Sequence, residues 1–494
     1  MESKVAKLKA KPKPFLFPEF CKGCGRCIEA CRFGCIEEGT EINPETGLVP
    51  IELTNLDKCT GCALCVNACP EPFGLHLRAV DVEEIDNEKL EGVHSFEEMV
   101  EIFEKADYEL EDPSELFGPP ETEAPEPEPI PDRWLELSHQ EPLILKGTYA
   151  SAVGAILAGC RHVYGYPITP STEGAELMAK LQPLMDGVFY QAVSEVATVN
   201  MMYGTGGAGL PSMTFTSSPG FSLMLEGISY MVGAELPGVF VNIMRGGPGL
   251  GNIAPEQADI KLACRGLGHG NSHAIVLAPS TPQEMLDLTM LAFDLSFKYR
   301  NPVVILGDGY LGQITGRVNL PEKMKKPGIP EWAVWGDLDH RGNLICSIEL
   351  AEADLEKHNI HLNEKYAEIR GNEQRADLFH MDDAEVVLVS ANTPSRMAKG
   401  AVQTLRNQGV KAGLFRPVTL WPFPVEELKG VLDRARRIVM VEASNGQLED
   451  ELRLALSKDG VEPPPIDHVR RFGGVLPQED EIVSLVNELE EVSV

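Results

Sequence analysis

The stretch CKGCGRCIEAC, Cys21 to Cys31, limits what this chain can fold into more than any other. It holds four cysteines, Cys21, Cys24, Cys27 and Cys31, spaced C-x2-C-x2-C-x3-C. The same spacing returns at Cys59, Cys62, Cys65 and Cys69, followed by Pro70. Soft thiolates at this spacing suit iron–sulfur clusters. Two such runs predict two [4Fe–4S] clusters in which the fourth cysteine of each run serves the other cluster. Cys21, Cys24, Cys27 and Cys69 are therefore assigned to one cluster, and Cys59, Cys62, Cys65 and Cys31 to the second. The competing reading is a pair of zinc sites, but zinc uses paired C-x2-C units and has no need of a third and fourth cysteine placed this way. Arg32 stands where a proline usually follows the first run, and Cys35 is expected to be a buried thiol outside the ligand set. Gly23, Gly25 and Gly61 let the backbone wrap closely and aim N–H groups at cluster sulfur.

Nine of the twelve cysteines lie between Cys21 and Cys69, a clustering that reads as metal binding in a reducing compartment rather than a disulfide framework. The remaining 425 positions beyond Cys69 make this far more than a cluster carrier; a 54.0 kDa chain is expected to hold two to four domains. A net charge of −32 argues against nucleic acid, whose phosphates would be repelled. No apolar run of membrane-spanning length occurs, and the basic start MESKVAKLKAKPKP leads into no apolar stretch. A cytoplasmic location, with no membrane and no nucleic-acid partner, is the expectation.

Between residues 81 and 140 the character changes. SFEEMVEIFEKA (95–106) has a helical pattern, and the acidic, proline-rich PSELFGPPETEAPEPEPIPDRW follows it as a linker. Whether that linker is a free spacer or a strap over a neighbour is open at this point. From 141 to 320 helical and strand patterns alternate, from YASAVGAILAGC and HVYGYPIT to PVVILGDG, which predicts a parallel sheet covered by helices on both faces. Such sheets bind ligands at the carboxyl ends of their strands. Those ends carry Thr169, Glu195, Ser217, Ser218, Arg245 and Asp308, nearly all beside glycine or proline. GTGGAG (204–209) has the letters of a dinucleotide loop, but it follows a helix and precedes a strand, the reverse of the required context. His269 and His273 in GHGNSH have helical metal spacing inside a glycine-rich loop, which makes a metal pair the weaker reading. GDG at 307–309 resembles the start of a thiamine-diphosphate magnesium motif, but the asparagine expected some way beyond it is missing.

These residues together are similar to a known family. LKGTYASAVGAILAGCRHVYGYPITPSTEGAELM, TSSPGFSLMLEGISYMVGAELPGVFVNIMRGGPGLG and LFRPVTLWPFP resemble the α subunit of 2-oxoacid:ferredoxin oxidoreductases, of the 2-oxoglutarate or 2-oxoisovalerate type. The cysteine block resembles their ferredoxin-like δ subunit, so the chain resembles a fused δ–α polypeptide. The implied fold is α/β. A two-[4Fe–4S] ferredoxin-like α+β domain (1–80) and the linker (81–140) precede a thiamine-diphosphate pyrimidine-binding domain (141–320). A connecting segment (321–383) and a transketolase C-terminal-like domain (384–494) follow.

The resemblance implies thiamine-diphosphate-dependent oxidative decarboxylation of a 2-oxoacid with coenzyme A, giving acyl-CoA and CO2, with electrons passed through the clusters to an external ferredoxin. Clusters of low potential leave either direction open. It implies Glu195, Thr169 and Arg245 as catalytic residues: Glu195 against the aminopyrimidine ring, Thr169 against substrate, and Arg245 holding the substrate carboxylate. Tyr166, Pro167 and Ser218, with Glu195, are the implied cofactor contacts, although TSSPG is shorter than the family's usual Ser-Gly-Pro-Gly run. Asp308 has no counterpart and is expected to be structural. Mg2+ and the diphosphate are expected on a partner β subunit carrying a further [4Fe–4S] cluster, with γ as a separate chain and the whole a dimer of heteromers. The substrate expected is 2-oxoglutarate, with 2-oxoisovalerate or pyruvate as alternatives. A non-catalytic electron-transfer and assembly subunit is the alternative reading.

Overall fold

A computed structural model describes residues 12–44, 46–70, 74–78, 129–138, 141–337, 340 and 342–492. The chain forms two compact units, Met1–Pro119 and Pro120–Val494. The expected helix at 95–106 and the basic tail at 1–11 lie outside the described residues.

The first unit repeats one pattern twice. In chain order it contains β1 (Lys13–Leu16), α1 (Arg26–Ala30), β2 (Ile36–Glu38), β3 (Ile51–Leu53), α2 (Leu64–Ala68) and β4 (Leu75–Arg78). β1 pairs antiparallel with β4, and β2 with β3. Each short helix starts inside a cysteine run, after a residue in the left-handed region: Gly25 at φ 73° before α1, and Ala63 at φ 64° before α2. The third cysteine of each run is buried on its helix, and the fourth closes the helix. The described core is small: Cys27, Ile36, Ile51, Cys65 and Leu75.

The second unit opens with β5 (Arg133–Glu136) and β6 (Leu143–Lys146). Then come α3 (Gly147–Leu157), β7 (His162–Gly165), α4 (Thr172–Leu181), β8 (Val188–Gln191), α5 (Glu195–Gly207), β9 (Ser212–Thr216), α6 (Ser218–Gly233) and β10 (Gly238–Met244). They are followed by α7 (Ile260–Arg265), β11 (Ile275–Leu277), α8 (Pro282–Lys298), β12 (Pro302–Asp308), α9 (Gly309–Gln313), β13 (Thr315–Val318) and β14 (Lys323–Lys326). Next are α10 (Glu352–Asn372), β15 (Ala376–Phe379), β16 (Val386–Val389), α11 (Pro394–Asn407), β17 (Ala412–Pro417) and β18 (Thr419–Trp421). α12 (Val425–Leu432), β19 (Arg437–Glu442), α13 (Gln447–Lys458), β20 (Ile466–Arg470) and α14 (Glu479–Val492) complete it.

The main sheet runs β18-β11-β12-β10-β9-β7-β8, parallel except for β18. β10 and β12 are buried along their whole length, as strands covered on both faces must be, and their sequences are accordingly near-continuous apolar runs. The second sheet runs β15-β17-β16-β19-β20, with only β15 antiparallel. β18, from RPVTLW, leaves the sequence of this second sheet to close an edge of the first.

The linker and the connecting segment carry more structure than their sequences suggest. Ile130 bridges Ile329, and β5 pairs with β14, so residues 129–138 are a strap on the second unit. The connecting segment at 321–383 contains β14, α10 and β15. α10 buries only Leu362, Lys365, Tyr366 and Ile369. These fall on one stripe at helical spacing, but one too sparse to stand out from its charged neighbours. GTGGAG contributes the last turn of α5, as its context required.

Candidate functional site

Two places in the chain carry the chemistry. In the first unit, Cys21, Cys24, Cys27 and Cys69 line one cavity, together with Gly23 and Ile51. Cys31, Cys59, Cys62 and Cys65 line another, whose wall also includes Cys35. The fourth cysteine of each run thus lines the other run's cavity. Among the described residues no three His, Cys, Asp or Glu side chains converge on a point fit for a single ion. Sulfurs spread around the wall of a cavity suit a cluster with its own volume, so the two sets fit [4Fe–4S] groups.

Backbone N–H groups point at these sulfurs, from Ile51 to Cys21 Sγ (3.4 Å) and from Cys35 to Cys31 Sγ (3.3 Å). Gly23 sits at φ 65° with its α-carbon so near the Val49 carbonyl that a Cβ would lie 2.2 Å from the oxygen. Burial pushes the Cys27 thiol up to about 11, and the neighbouring Cys21, Cys69 and Cys24 push the same way. Burial also raises Cys65, with Cys31 and Cys59 adding to it. Cys35 is buried and donates to the carbonyls of Phe33 and Asn55, which suits its expected place outside the ligand set.

The second place is the carboxyl edge of the main sheet. Glu195 is the first residue of α5, and Ser194 caps that helix by accepting the N–H of Ala197 (3.2 Å). A carboxylate there is favoured by the helix N-terminus. It is 5% exposed and has no hydrogen-bond partner among the described residues. It faces Gly220 in the first turn of α6, where a Cβ would come within 2.5 Å of both Glu195 Oε1 and Thr216 Oγ1. The hydroxyls of Thr216 and Ser217 are buried beside it without partners. Glycine at 220 thus lets the Glu195 carboxyl and the Thr216 hydroxyl pack against the first turn of α6, and these polar atoms, without partners among the described residues, fit hydrogen bonding to a polar ring such as an aminopyrimidine.

Arg245 follows β10 and gathers three loops. Its Nη1 donates to the Thr169 carbonyl (2.8 Å) and its Nη2 to the Leu250 carbonyl (3.2 Å). Its backbone N–H donates to Ser218 Oγ (3.1 Å), and its Nε is buried with no partner. Ser218 in turn donates to Asp259 Oδ2 (2.6 Å), which also accepts from Asn242 Nδ2 (3.0 Å). Burial raises the Asp259 carboxyl, while Ser218, Asn242 and Arg245 pull it back. The expected convergence of Thr169, Arg245 and Ser218 is therefore real. The Ser218 hydroxyl, however, is occupied inside the protein by Asp259 and Arg245. Tyr166, Pro167 and Thr169 are exposed on the loop after β7.

Asp308 is buried, caps α9 through the N–H groups of Tyr310 and Leu311 (both 3.0 Å), and accepts from Thr393 N (2.9 Å) and Oγ1 (2.8 Å). It is structural, as expected. His273 stacks on Trp421, with ring centroids 4.5 Å apart and planes 9° apart, which accounts for it as packing.

Sequence reasoning passed over Glu256, Gln257 and Asp259. They belong to a short polar run, PEQAD, whose only signal is its place directly after the glycine loop of Arg245. Glu256 Oε2 accepts the N–H groups of Gly247 (3.2 Å) and Gly473 (3.0 Å).

Comparison with known proteins shows the family. Residues 153–368 match the pyruvate flavodoxin/ferredoxin oxidoreductase thiamine-diphosphate-binding family. Residues 384–482 match the pyruvate:ferredoxin oxidoreductase core domain II, and residues 20–72 the 4Fe–4S dicluster domain. Ketoisovalerate oxidoreductase subunit VorB of Methanothermobacter thermautotrophicus is 44% identical over 347 residues, 70% of this chain and 97% of that protein. The 2-oxoglutarate synthase subunit KorA of Methanocaldococcus jannaschii is 34% identical over 368 residues, 68% of this chain and 97% of that protein. The 2-oxoglutarate:ferredoxin oxidoreductase of Magnetococcus marinus, solved with 2-oxoglutarate, coenzyme A and succinyl-CoA bound, superposes with a TM-score of 0.64 at 26% identity. That match covers 71% of this chain and 65% of the solved chain.

The fold and site define an α/β thiamine-diphosphate-type oxidoreductase subunit joined to a dicluster module. The chain belongs to the 2-oxoacid:ferredoxin oxidoreductase family, whose members act as subunits with partner chains. No described helix is long and apolar enough to cross a membrane.

Proposed function

We propose that this chain supplies the pyrimidine-side acid, the substrate-anchoring arginine and the electron exit of a 2-oxoacid:ferredoxin oxidoreductase acting on a branched-chain 2-oxoacid. The observation that carries the catalytic part is the buried Glu195 carboxylate, left without a partner and facing the side-chain-free position of Gly220.

Thiamine diphosphate, when bound, supplies the carbanion that attacks the 2-oxo carbon. Glu195 would accept a hydrogen bond from a ring nitrogen of the pyrimidine and so hold its proton-transferring tautomer. Arg245 keeps donor capacity beyond its two carbonyl bonds, and a guanidinium beside the edge suits the 2-oxoacid carboxylate. Thr169, fixed through its carbonyl by Arg245, would stand beside the same substrate. Tyr166 and Pro167, on the same loop, would flank the cofactor. The eight cysteines would hold two clusters that carry the released electrons one at a time toward an external ferredoxin.

The open edge is rimmed by exposed apolar residues: Val193 (86%), Leu250 (80%), Ile253 (60%) and Leu223 (54%). Such a rim suits burial by a partner subunit, which would bring Mg2+, the diphosphate site and its own cluster. A separate γ chain, coenzyme A as acyl acceptor and a dimer of heteromers complete this reading.

Two VorB proteins are 44–45% identical to the chain, against 32–35% for the KorA proteins. That difference favours 2-oxoisovalerate over the 2-oxoglutarate expected from sequence. A second carboxylate would call for a second cation. Lys146, which joins this network through Gln313 and the Pro170 carbonyl, is held by Glu173 (3.4 Å). 2-Oxoglutarate is the second reading, carried by the KorA relatives.

The test is a panel of 2-oxoisovalerate, 2-oxoglutarate and pyruvate with the assembled complex, following coenzyme-A-dependent ferredoxin reduction. A higher kcat/KM for 2-oxoisovalerate is expected, and a preference for 2-oxoglutarate would replace the first reading with the second.

A further inference from the structure

The loop Arg245–Ala254 and the loop 471–474 lie far apart in the sequence of the second unit, yet they are bonded together. Glu256 is 7% exposed, and one of its oxygens, Oε2, accepts both the Gly247 N–H at 3.2 Å and the Gly473 N–H at 3.0 Å. Asn252 Nδ2 donates to the Gly473 carbonyl (3.0 Å), and Asn252 N–H donates to the Gly246 carbonyl (3.0 Å). The approach is close enough that a Cβ on Gly474 would lie 2.5 Å from the Ala254 Cβ. On the arginine's own side, Leu250 of this loop accepts from the Arg245 guanidinium, and Arg245 forms an isolated bridge with Pro255, next to Glu256.

The following residue faces the other way. Gln257 exchanges hydrogen bonds with Ala443 (2.7 Å and 2.8 Å) and donates to Ala391 and Asn392 (both 3.2 Å). All of these partners lie in the C-terminal domain. The run 255–259 is therefore pinned on one side to that domain and on the other to the loop that carries the arginine.

From this we infer that Glu256 is a positioning residue: it uses the C-terminal domain's 471–474 loop as a brace that holds Arg245 in the posture that receives the 2-oxoacid carboxylate. The inference rests on the anchoring role proposed for Arg245. It gives the C-terminal domain, expected from sequence to serve assembly, a part in substrate binding. The physical ground is that a guanidinium donating to two carbonyls, on a residue whose own backbone N–H donates to Ser218, is preorganised, and a displacement of about 1 Å at such a site can cost as much as a hundredfold.

The experiment uses the complex with its partner subunits and measures steady-state kinetics against the 2-oxoacid. Glu256→Ala removes the shared acceptor and is expected to raise KM about tenfold with a smaller fall in kcat. Glu256→Gln keeps an oxygen able to accept both N–H groups and is expected to stay within about twofold of the unaltered complex. In an Arg245→Met background the Glu256→Ala penalty should vanish, which a general loss of stability would not produce. An unchanged KM in Glu256→Ala, or the same penalty with and without Arg245, overturns the inference. An unchanged KM in Arg245→Met alone overturns the anchoring reading beneath it. If Glu256→Ala does not assemble, Asn252→Ala at the exposed side of the brace should give a smaller rise in KM, and no rise overturns the brace.

Discussion

The two units are stabilised in opposite ways. In the first, two of the five residues of the core cluster among the described residues are Cys27 and Cys65, themselves assigned from sequence as cluster ligands. In the second, a core built on β10, β12 and their helices is mostly apolar, and buried polar groups such as Thr216, Ser217 and Asp308 gather at strand ends. A unit whose core is partly its ligand set cannot bury enough surface without that ligand, whereas the α/β unit has a core of its own. The difference teaches where function has been placed. It is the fold itself in the first unit, and an edge feature on an independently stable fold in the second.

The sharpest way to break this contrast is to remove the clusters. Oxidative or chelating treatment, or a Cys27→Ser, Cys65→Ser pair, should unfold the first unit outright while the second keeps its melting transition. Limited proteolysis and calorimetry would show it, and loss of both transitions together would abolish the distinction. Next in size, Glu195→Gln should lower kcat by about a hundredfold or more with the melting of the second unit unchanged. A fall in stability matching the fall in activity would place Glu195 in the fold rather than at the edge.

Asp308 offers the reverse case. Asp308→Ala leaves the N–H groups of Tyr310, Leu311 and Thr393 without their acceptor and should cost roughly 3 kcal/mol of stability. Urea unfolding of the second unit measures this, and a cost near zero would remove Asp308 from its structural place.

His273 gives the smallest effect, and it depends on pH. Burial lowers its pKa from 6.5 to about 4, with Lys458 and Arg370 pushing the same way against the Cys264 backbone. The unfolded chain therefore takes up the proton before the folded one. Stability is present in full above the unfolded value near 6.5 and is lost as pH falls toward about 4. Near pH 5 the loss is on the order of 2 kcal/mol. His273→Phe should flatten this acid limb in thermal melts of the complex, and an unaltered limb would assign the sensitivity to other groups.

Most of the architecture was legible because it rests on local signals. Cysteine spacing pointed to a dicluster domain at 20–72, and Cys31 and Cys69 each line the cavity of the other run. Apolar strand runs such as GVFVNIM and PVVILGD announced a sheet covered on both faces. Proline beside Thr169 and glycine beside Arg245 marked the carboxyl edge of the sheet as a candidate site. What stayed hidden depends on distance in sequence. Nothing near Glu256 shows that its partner is Gly473, and nothing in VTLWP shows that this stretch closes the first sheet instead of the second. α10 was missed for a different reason: Leu362, Tyr366 and Ile369 are too few to reveal a face among so many charges. Ser218 shows a third limit. Its position could be read, but not that Asp259 and Arg245 already occupy its hydroxyl.

That the cysteine unit and the carboxylate edge share one polypeptide has a consequence for supply. The match to VorB of Methanothermobacter thermautotrophicus takes in 97% of that protein but 70% of this chain, so about three tenths of this chain lies outside it. Where the two parts are separate gene products, their ratio follows expression and mutual affinity, and a shortage of one idles the other. Here the ratio is fixed at translation. Each copy of the carboxylate edge is made with its own pair of cysteine sets, and no dilution or imbalance can separate the two counts. The quantity left to regulate is how many of those sets have received iron and sulfide.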